Sequence, residues 1–350
     1  MRSCDPWTMR RRPRISWTDL GGATVGIWGL GLEGRANLQR ATEVGARVVP
    51  VDDRPQHADV LATARGGLDA LARCDVVVKT PGISRYRPDV VGLEESGVPV
   101  VGGLGLWLEQ VLPAPVACVT GTKGKSTTTA ICGHLLHRLG YDVGVGGNLG
   151  QPPYSLPEHE RWVIETSSFQ ATDVSTSPPV VVVTSLHPDH LDWHGDVETY
   201  YRDKLSLCSQ AGAILTVANG ADGVVRAHAA ELGPQTEWVA VPADGDHWSD
   251  ALGLLGVHNR RNAEMARACL RALGIPEALD LRALEAAARG FPGLPSRLQV
   301  IERIGAVDVV DDSLSTNVLP AISALDTFAG RPVALIVGGH DRGIDYTELA

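Results

Sequence analysis

The residues best equipped for chemistry are Gly121-Thr122-Lys123-Gly124-Lys125-Ser126, with Thr127 next in line. They follow an apolar run, Pro115 to Val119, and open a helical stretch from Thr127 to Leu139. A strand, a tight glycine turn and a helix N-terminus present several backbone N–H groups to one anion. Lys125 adds a mobile positive charge for the outer phosphates, and the Ser126 hydroxyl suits a hard Mg²⁺ ion. The longer nucleotide-loop pattern would need glycine where this chain has Val119, so the loop has the shortened form G-T-x-G-K-S. An ordinary glycine turn is the plain alternative. Lys-Ser in phase with the helix start favours a loop that binds a nucleoside triphosphate.

A second glycine constellation is Gly29-Leu30-Gly31-Leu32-Glu33-Gly34, directly after the apolar run Thr24 to Trp28. This spacing opens a dinucleotide-type turn, in which close backbone approach aims N–H groups at a pyrophosphate. A helix from Arg35 to Val44 follows, then a strand from Arg47 to Val51 ending in Asp52-Asp53. Those carboxylates either take the hydroxyls of a nucleotide sugar or simply end the strand. Val76 to Lys79 reads as a further strand running into Thr80-Pro81-Gly82 at the same sheet edge. Alone, the trio leaves its ligand open, NAD(P) included.

Glu165, at a strand end before Ser167-Ser168-Phe169-Gln170, fits a site better than a solvated charge. His187, His190 and His194 invite a zinc reading, but their spacing closes no zinc site. Lys204 on a helix reads by itself as a solvated residue. Asn259 and Asn262 read as caps for the helix after His258.

Three parts position these residues. A chain of 350 residues is long enough for two or three cores, and 44% hydrophobic with 21% charged residues is a globular balance. The formal net charge of -10 argues against a nucleic-acid partner. No apolar run is long enough to span a membrane. Arg2, Arg10, Arg11, Arg12 and Arg14 precede no apolar segment, so residues 1–20 read as a loose tail, or as an over-extended start before Met9, and not as a secretory signal. Six scattered cysteines without a C-x-x-C pair suit a reducing cytoplasm. Residues 21–112 form the first part. Residues 113–293 form the second, with the strands Trp162 to Thr166, Val180 to Ser185 and Ala213 to Val217 alternating with helices in a mostly parallel sheet. Residues 294–350 show a strand Val307 to Val310, a helix Val318 to Phe328 and a strand Val333 to Val337, one βαβ unit that stops at Ala350.

Taken in order, these motifs resemble the Mur ligases, ATP-dependent amino-acid ligases of peptidoglycan synthesis. The likeness rests on the loop Gly121 to Ser126, Gly146-Gly147-Asn148-Leu149-Gly150, Glu165-Thr166-Ser167-Ser168-Phe169-Gln170, Asp189-His190-Leu191-Asp192, Lys204, and His258-Asn259-Arg260-Arg261-Asn262-Ala263. Pro295-Ser296-Arg297 and Asp311-Asp312-Ser313-Leu314-Ser315-Thr316-Asn317 resemble the MurD branch, which adds glutamate to UDP-N-acetylmuramoyl-L-alanine. The resemblance implies an α/β, three-domain architecture: a Rossmann-like N-terminal domain for the UDP substrate, a central P-loop ATPase domain, and an incomplete Rossmann-like C-terminal domain for glutamate.

It also implies the residue roles. ATP would take the loop Gly121 to Thr127, Asn259, Asn262, Arg297 and Asp312. The UDP substrate would take Gly31, Leu32, Glu33, Asp52, Asp53, Thr80, Pro81, Gly82, Asn148, Thr166 and Ser167. Lys125, Glu165, His190 and Lys204 would be catalytic. One Mg²⁺ would sit on Ser126 and Glu165 and a second beside His190, with Lys204 carbamylated by CO₂ into an oxygen ligand.

Two departures concern glutamate. Leu314 and Arg342 stand where the branch commonly has lysines, and a forked guanidinium holds a carboxylate differently from an ammonium. Here the chain is more similar to an L-glutamate-adding variant, whose product an epimerase then inverts, than to an ordinary D-glutamate enzyme. A folylpolyglutamate-synthetase-like ligase and an inactive nucleotide-binding fragment are the remaining alternatives.

Overall fold

The computed structural model describes residues 12–148, 150–240, 247–315, 318–338 and 346–349. The first sheet is β1 (Thr24–Trp28), β2 (Arg47–Asp52), β3 (Leu61–Ala62), β4 (Val76–Lys79) and β5 (Val100–Gly102). All its strands are parallel, in the order β3-β2-β1-β4-β5. Parallel pairing needs crossovers, supplied mainly by α1 (Leu32–Glu43), α2 (Leu68–Leu71) and α3 (Pro88–Glu95), with α4 (Gly103–Val111) leading out. The order reverses between β1 and β4, so the Gly29 turn and the Thr80 loop flank one crevice at the strand carboxyl ends.

The second sheet is β6 (Val116–Thr120), β7 (Val143–Gly147), β8 (Arg161–Glu165), β9 (Val180–Val183), β10 (Leu215–Asn219) and β11 (Thr236–Val239). It is parallel throughout in the order β11-β10-β9-β6-β8-β7. Its helices are α5 (Lys125–Arg138), α6 (Ser168–Ala171), α7 (Leu191–His194), α8 (Val197–Leu205), α9 (Gly223–Ala227), α10 (Val257–Ala272) and α11 (Leu281–Ala288). The central strands read as continuous apolar runs because helices cover both faces; Val180 to Val183 are all buried. One apolar cluster joins the two sheets: Val25 and Ile27 belong to it with Cys118, Ile164 and Val181. Trp107 meets Trp162 edge-on at 5.1 Å across that seam.

Several expectations need correction. Residues 12–20 are not loose: Trp17 and Leu20 form a short 3₁₀ turn and are fully buried, while Arg12 pairs with Glu94. Residues 1–11 lie outside the described residues. Among the described residues no βαβ unit follows residue 294. Instead β12 (Gln299–Ile304) and β13 (Val307–Asp311) form an antiparallel hairpin, followed by α12 (Val318–Thr327). Val333 to Val337 form no strand, and Ile336 is 95% exposed. A strand exists through its partners, and none of the described residues pairs with this run. Among the described residues no helix is long and apolar enough to cross a membrane. Five cysteines are buried and unpaired, and Cys4 is outside the described set.

Candidate active site

The glycine loop leaves the carboxyl end of β6, between β8 and β9. Gly121 has φ +136° and a Cβ there would lie 2.2 Å from Thr184 Oγ1, so only glycine fits. Gly124 takes the left-handed conformation at the N-cap of α5, with φ +87°. This turn starts the helix at Lys125, ahead of the expected Thr127, and puts Lys125, Ser126 and Thr127 in its first turn. The loop is tied down from β9: Thr122 N–H donates to the Ser185 carbonyl at 2.8 Å, and Lys123 N–H donates to Ser185 Oγ at 2.8 Å. Lys125 Nζ donates to the Thr122 carbonyl at 3.1 Å.

Glu165 ends β8 and is 1% exposed. Its Oε1 accepts from Asn148 Nδ2 at 2.7 Å, while Oε2 is buried without a hydrogen-bond partner. Thr166 is buried beside it, and Ser167 caps α6 through the Gln170 N–H at 3.2 Å. Lys204 projects from α8 into the underside of the loop. Its Nζ donates to the Gly121 carbonyl at 3.0 Å and lies 4.9 Å from the Tyr200 ring. Burial pushes the Lys204 amine well below its ordinary range; Lys125 adds to this, and Asp189 and Glu165 oppose it. Lys125 is lowered too, by burial first, against the pull of Glu165. His190 is lowered by burial, then by the charges of Lys204 and Lys125, with Asp189 opposing. These side chains thus share one electrostatic neighbourhood. His190 sits at a left-handed φ of 52° with its ring 4.9 Å from Phe169.

From the far side, Asn262 abuts the loop, since a Cβ on Gly124 would lie 2.5 Å from its Oδ1. Neither asparagine caps a helix: α10 begins at Val257, and Asn259 Nδ2 donates back to the Leu255 carbonyl at 2.8 Å. A cap would have to accept an N–H instead. Arg297 is close enough to help lower Lys125. Asp312 accepts from the Leu298 N–H at 2.9 Å and acts on His258. Arg342 lies outside the described residues.

At the first sheet, Gly31 and Leu32 form the exposed N-terminus of α1. A Cβ on Gly34 would fall 1.8 Å from the Gly29 carbonyl oxygen, which explains the third glycine. Asp52 is engaged in the turn, accepting from the Leu30 N–H at 2.6 Å and the Arg54 N–H at 2.8 Å. Asp53 pairs with Arg87 at 2.5 Å. Thr80, Pro81 and Gly82 lie across the crevice from Gly29. Glu33 instead turns to the seam and accepts from Gln170 Nε2 at 3.0 Å. His194 has both ring nitrogens engaged, on Asp203 and Ser168, which removes it from any zinc set.

The chain is 40% identical to a UDP-N-acetylmuramoyl-L-alanine--L-glutamate ligase of a Micromonospora species, over 95% of this chain and 79% of that protein. This chain belongs to the Mur ligase family. It is a ligase of the MurD type, an ATP-dependent enzyme of peptidoglycan synthesis. A relative of the same name from Xanthomonas euvesicatoria is 38% identical over 96% of this chain and 78% of its own length. The model of the Mur ligase middle domain matches residues 119–247. Two solved structures share the fold. MurC of Thermotoga maritima superposes with a TM-score of 0.53 at 22% identity, covering 87% of this chain and 77% of its own. MurF of Acinetobacter baumannii gives 0.54 at 17% identity, covering 91% and 71%.

Sequence reading of this Mur ligase missed Tyr200, Thr184 and Ser185. The Tyr200 hydroxyl shares a hydrogen bond with Thr122 Oγ1 at 2.9 Å, and Thr184 Oγ1 donates to the Lys123 carbonyl at 2.6 Å. Thr184-Ser185 follows the Val180 to Val183 run, and hydroxyls at the carboxyl end of a parallel strand were the available signal.

Proposed function

We propose that this ligase joins glutamate to UDP-N-acetylmuramoyl-L-alanine through an acyl phosphate, with L-glutamate as the preferred amino acid. One observation supports this most: Lys125, Glu165 and Lys204 converge on the glycine loop at the carboxyl ends of β6 and β8.

A carboxylate forms no amide directly, because hydroxide is a poor leaving group. An oxygen of the L-alanyl carboxylate attacks the γ-phosphorus of ATP, and ADP departs with the electrons of the broken P–O bond. The glutamate amine then attacks the acyl carbon, phosphate leaves, and the nitrogen gives up a proton. In the first step two anions approach each other, so cationic groups must lie between them. Lys125 and the loop N–H groups neutralise the outer phosphates.

The residues present fit Mg²⁺. Glu165 Oε2 is a buried acceptor without a hydrogen-bond partner, at the edge where Ser126 opens α5. Ser126 and Glu165 would hold one ion, and His190 with a carbamate on Lys204 would hold another. Bound there, Mg²⁺ supplies positive charge against the phosphate and acyl oxygens. Lys204 is suited to carbamylation because burial and Lys125 favour its neutral amine. The lone pair of Nζ attacks the CO₂ carbon, one C–O π pair moves onto oxygen, and the nitrogen loses a proton. A cation becomes a carboxylate-like ligand.

The UDP end is assigned to the crevice between β1 and β4, at Gly31, Leu32, Asp52, Asp53 and the Thr80 to Gly82 loop. Asn148, Thr166 and Ser167 would face the muramoyl end. Residues 21–112, 113–293 and 294 onward are proposed as the UDP, ATP and glutamate domains. L-glutamate is favoured because Arg342 and Leu314 replace lysines and because the relatives above are named for it. An epimerase would then invert the new residue. Buried unpaired cysteines suit a cytoplasmic setting.

The test is a ligation assay with ATP, Mg²⁺, UDP-N-acetylmuramoyl-L-alanine and each glutamate enantiomer at equal concentration, with the product identified by mass. Hydroxylamine in place of glutamate should trap the acyl phosphate as a hydroxamate. A strong preference for D-glutamate overturns the stereochemical assignment, and ATP-dependent ligation without a hydroxamate overturns the intermediate.

A further inference from the structure

Next to Lys204 in the sequence, Asp203 joins a hydrogen-bonded chain of polar side chains drawn from four separated segments. Asp203 accepts from the Tyr86 hydroxyl at 2.6 and 2.8 Å, and its Oδ2 lies 2.6 Å from His194 Nδ1. With Nδ1–H given to Asp203, His194 Nε2 is left to accept from the Ser168 hydroxyl at 3.0 Å. Two further bonds run alongside. Trp193 Nε1 donates to the Pro81 carbonyl at 3.1 Å, and Ser84 Oγ donates to the Trp193 carbonyl at 3.0 Å.

The order Ser168, His194, Asp203 has the connectivity of a hydrolytic triad. It is not one, since Ser168 is 2%, His194 1% and Asp203 1% exposed, and no acyl group reaches the serine. The cluster's position is more informative. Tyr86 and Ser84 continue the Thr80 to Gly82 loop of the first sheet. Ser168 follows Thr166-Ser167, His194 closes the helix that starts after His190, and Asp203 immediately precedes Lys204. Successive residues of a helix point about 100° apart, so what fixes Asp203 also fixes the direction in which Lys204 leaves α8.

Building on the ligase assignment above, we infer that Asp203 is a positioning residue: it holds Lys204 against the glycine loop and couples it to the first-sheet loop, Thr80 to Tyr86. Binding of the UDP substrate at that loop is thereby linked to the placement of the Lys204 ligand. The carboxylate is required because it accepts from two donors at once. An asparagine offers one acceptor oxygen and sets its NH₂ group against the other donor.

Two variants of the full chain test this. Asp203→Asn keeps the side-chain shape, and Tyr86→Phe removes a single oxygen and leaves the His194–Ser168 link intact. Lys204 carbamylation is read by carbon NMR under ¹³CO₂, separately from turnover. Asp203→Asn is expected to lose most of the carbamate signal, and kcat is expected to fall about tenfold to a hundredfold, while ATP binding is unchanged. Tyr86→Phe is expected to raise KM for the UDP substrate about tenfold, the weight of one hydrogen bond to a charged group, with KM for ATP unmoved. A wild-type carbamate signal that persists undiminished in folded Asp203→Asn overturns the positioning role alone. Absence of a carbamate signal in an active wild-type enzyme overturns the Lys204 assignment itself. An equal rise in both KM values for Tyr86→Phe overturns the coupling and marks Tyr86 as a general packing residue.

Discussion

Lys204 and Lys125 donate to adjacent carbonyls of one loop, Lys204 to Gly121 at 3.0 Å and Lys125 to Thr122 at 3.1 Å. Two amines held this close to one backbone turn cannot both be charged without cost. The asymmetry favours Lys125 as the cation, since Lys204 is driven well below its usual range and lies deeper, at 2% exposure. Their proposed roles differ accordingly, one a phosphate clamp and the other a nucleophile for CO₂.

Replacing Lys125 with alanine is expected to cut ATP turnover about a hundredfold to a thousandfold, the scale of a lost transition-state charge contact. Calorimetric titration of the same variant with the UDP substrate should give wild-type affinity, because that ligand is assigned to the first sheet. Joint loss of both, with the circular dichroism spectrum intact, contradicts the separation of the two sites.

Lys204→Ala should abolish phosphate release, and added formate or acetate should restore part of it by filling the vacated ligand position. Steady-state phosphate release with and without the added carboxylate checks this. Near-wild-type turnover in CO₂-depleted buffer would remove Lys204 from the metal site.

Glu33 supplies a pH test. Its carboxyl is raised from 4.5 to about 7, by burial first and then by Asp173, against the pull of the Gln170 hydrogen bond. Between those values the folded chain keeps a proton that the unfolded chain has released, so stability falls as pH rises through the window. Above it the cost of burying the charge is fully present. Glu33→Gln should therefore raise Tm relative to wild type at pH 8 and give no gain at pH 4. Thermal melts of both proteins at the two pH values decide it, and an equal difference at both would dissociate the effect from ionisation.

Asp173 is 3% exposed and accepts from two cations, Lys79 Nζ at 2.6 Å and Arg85 Nη2 at 2.6 Å. Burial alone would raise this carboxyl, but Lys79 and Arg85 outweigh it and hold it below the ordinary range. Asp173→Asn leaves the buried Lys79 without its counter-charge and Arg85 with Glu94 alone, so urea unfolding should show a loss of about 3–5 kcal/mol. A loss below about 1 kcal/mol would place the pair among weak ionic contacts.

Both glycine turns were legible in the sequence because each demands something no other residue supplies. Gly124 needs a left-handed backbone, and Gly34 needs room against the Gly29 carbonyl. The strands β1, β4, β6, β8 and β9 were legible to within a residue or two, as short β-branched runs bounded by turns. The polar cluster around Asp203 was not. Tyr86 and Asp203 are 117 residues apart, and a buried hydrogen bond at that separation leaves no periodic trace. Val333 to Val337 failed for the opposite reason. Its composition is that of a buried strand, but pairing partners decide whether such a run becomes one. Trp17 was overlooked because the arginines before it dominated the local composition.

The apolar cluster that runs unbroken from Val25 and Ile27 through the Trp107–Trp162 contact to Cys118 and Val181 ignores the boundary between the two sheets. Melting either sheet strips the other of part of its interior. Heat should therefore take both apart together, as a single calorimetric transition rather than a pair.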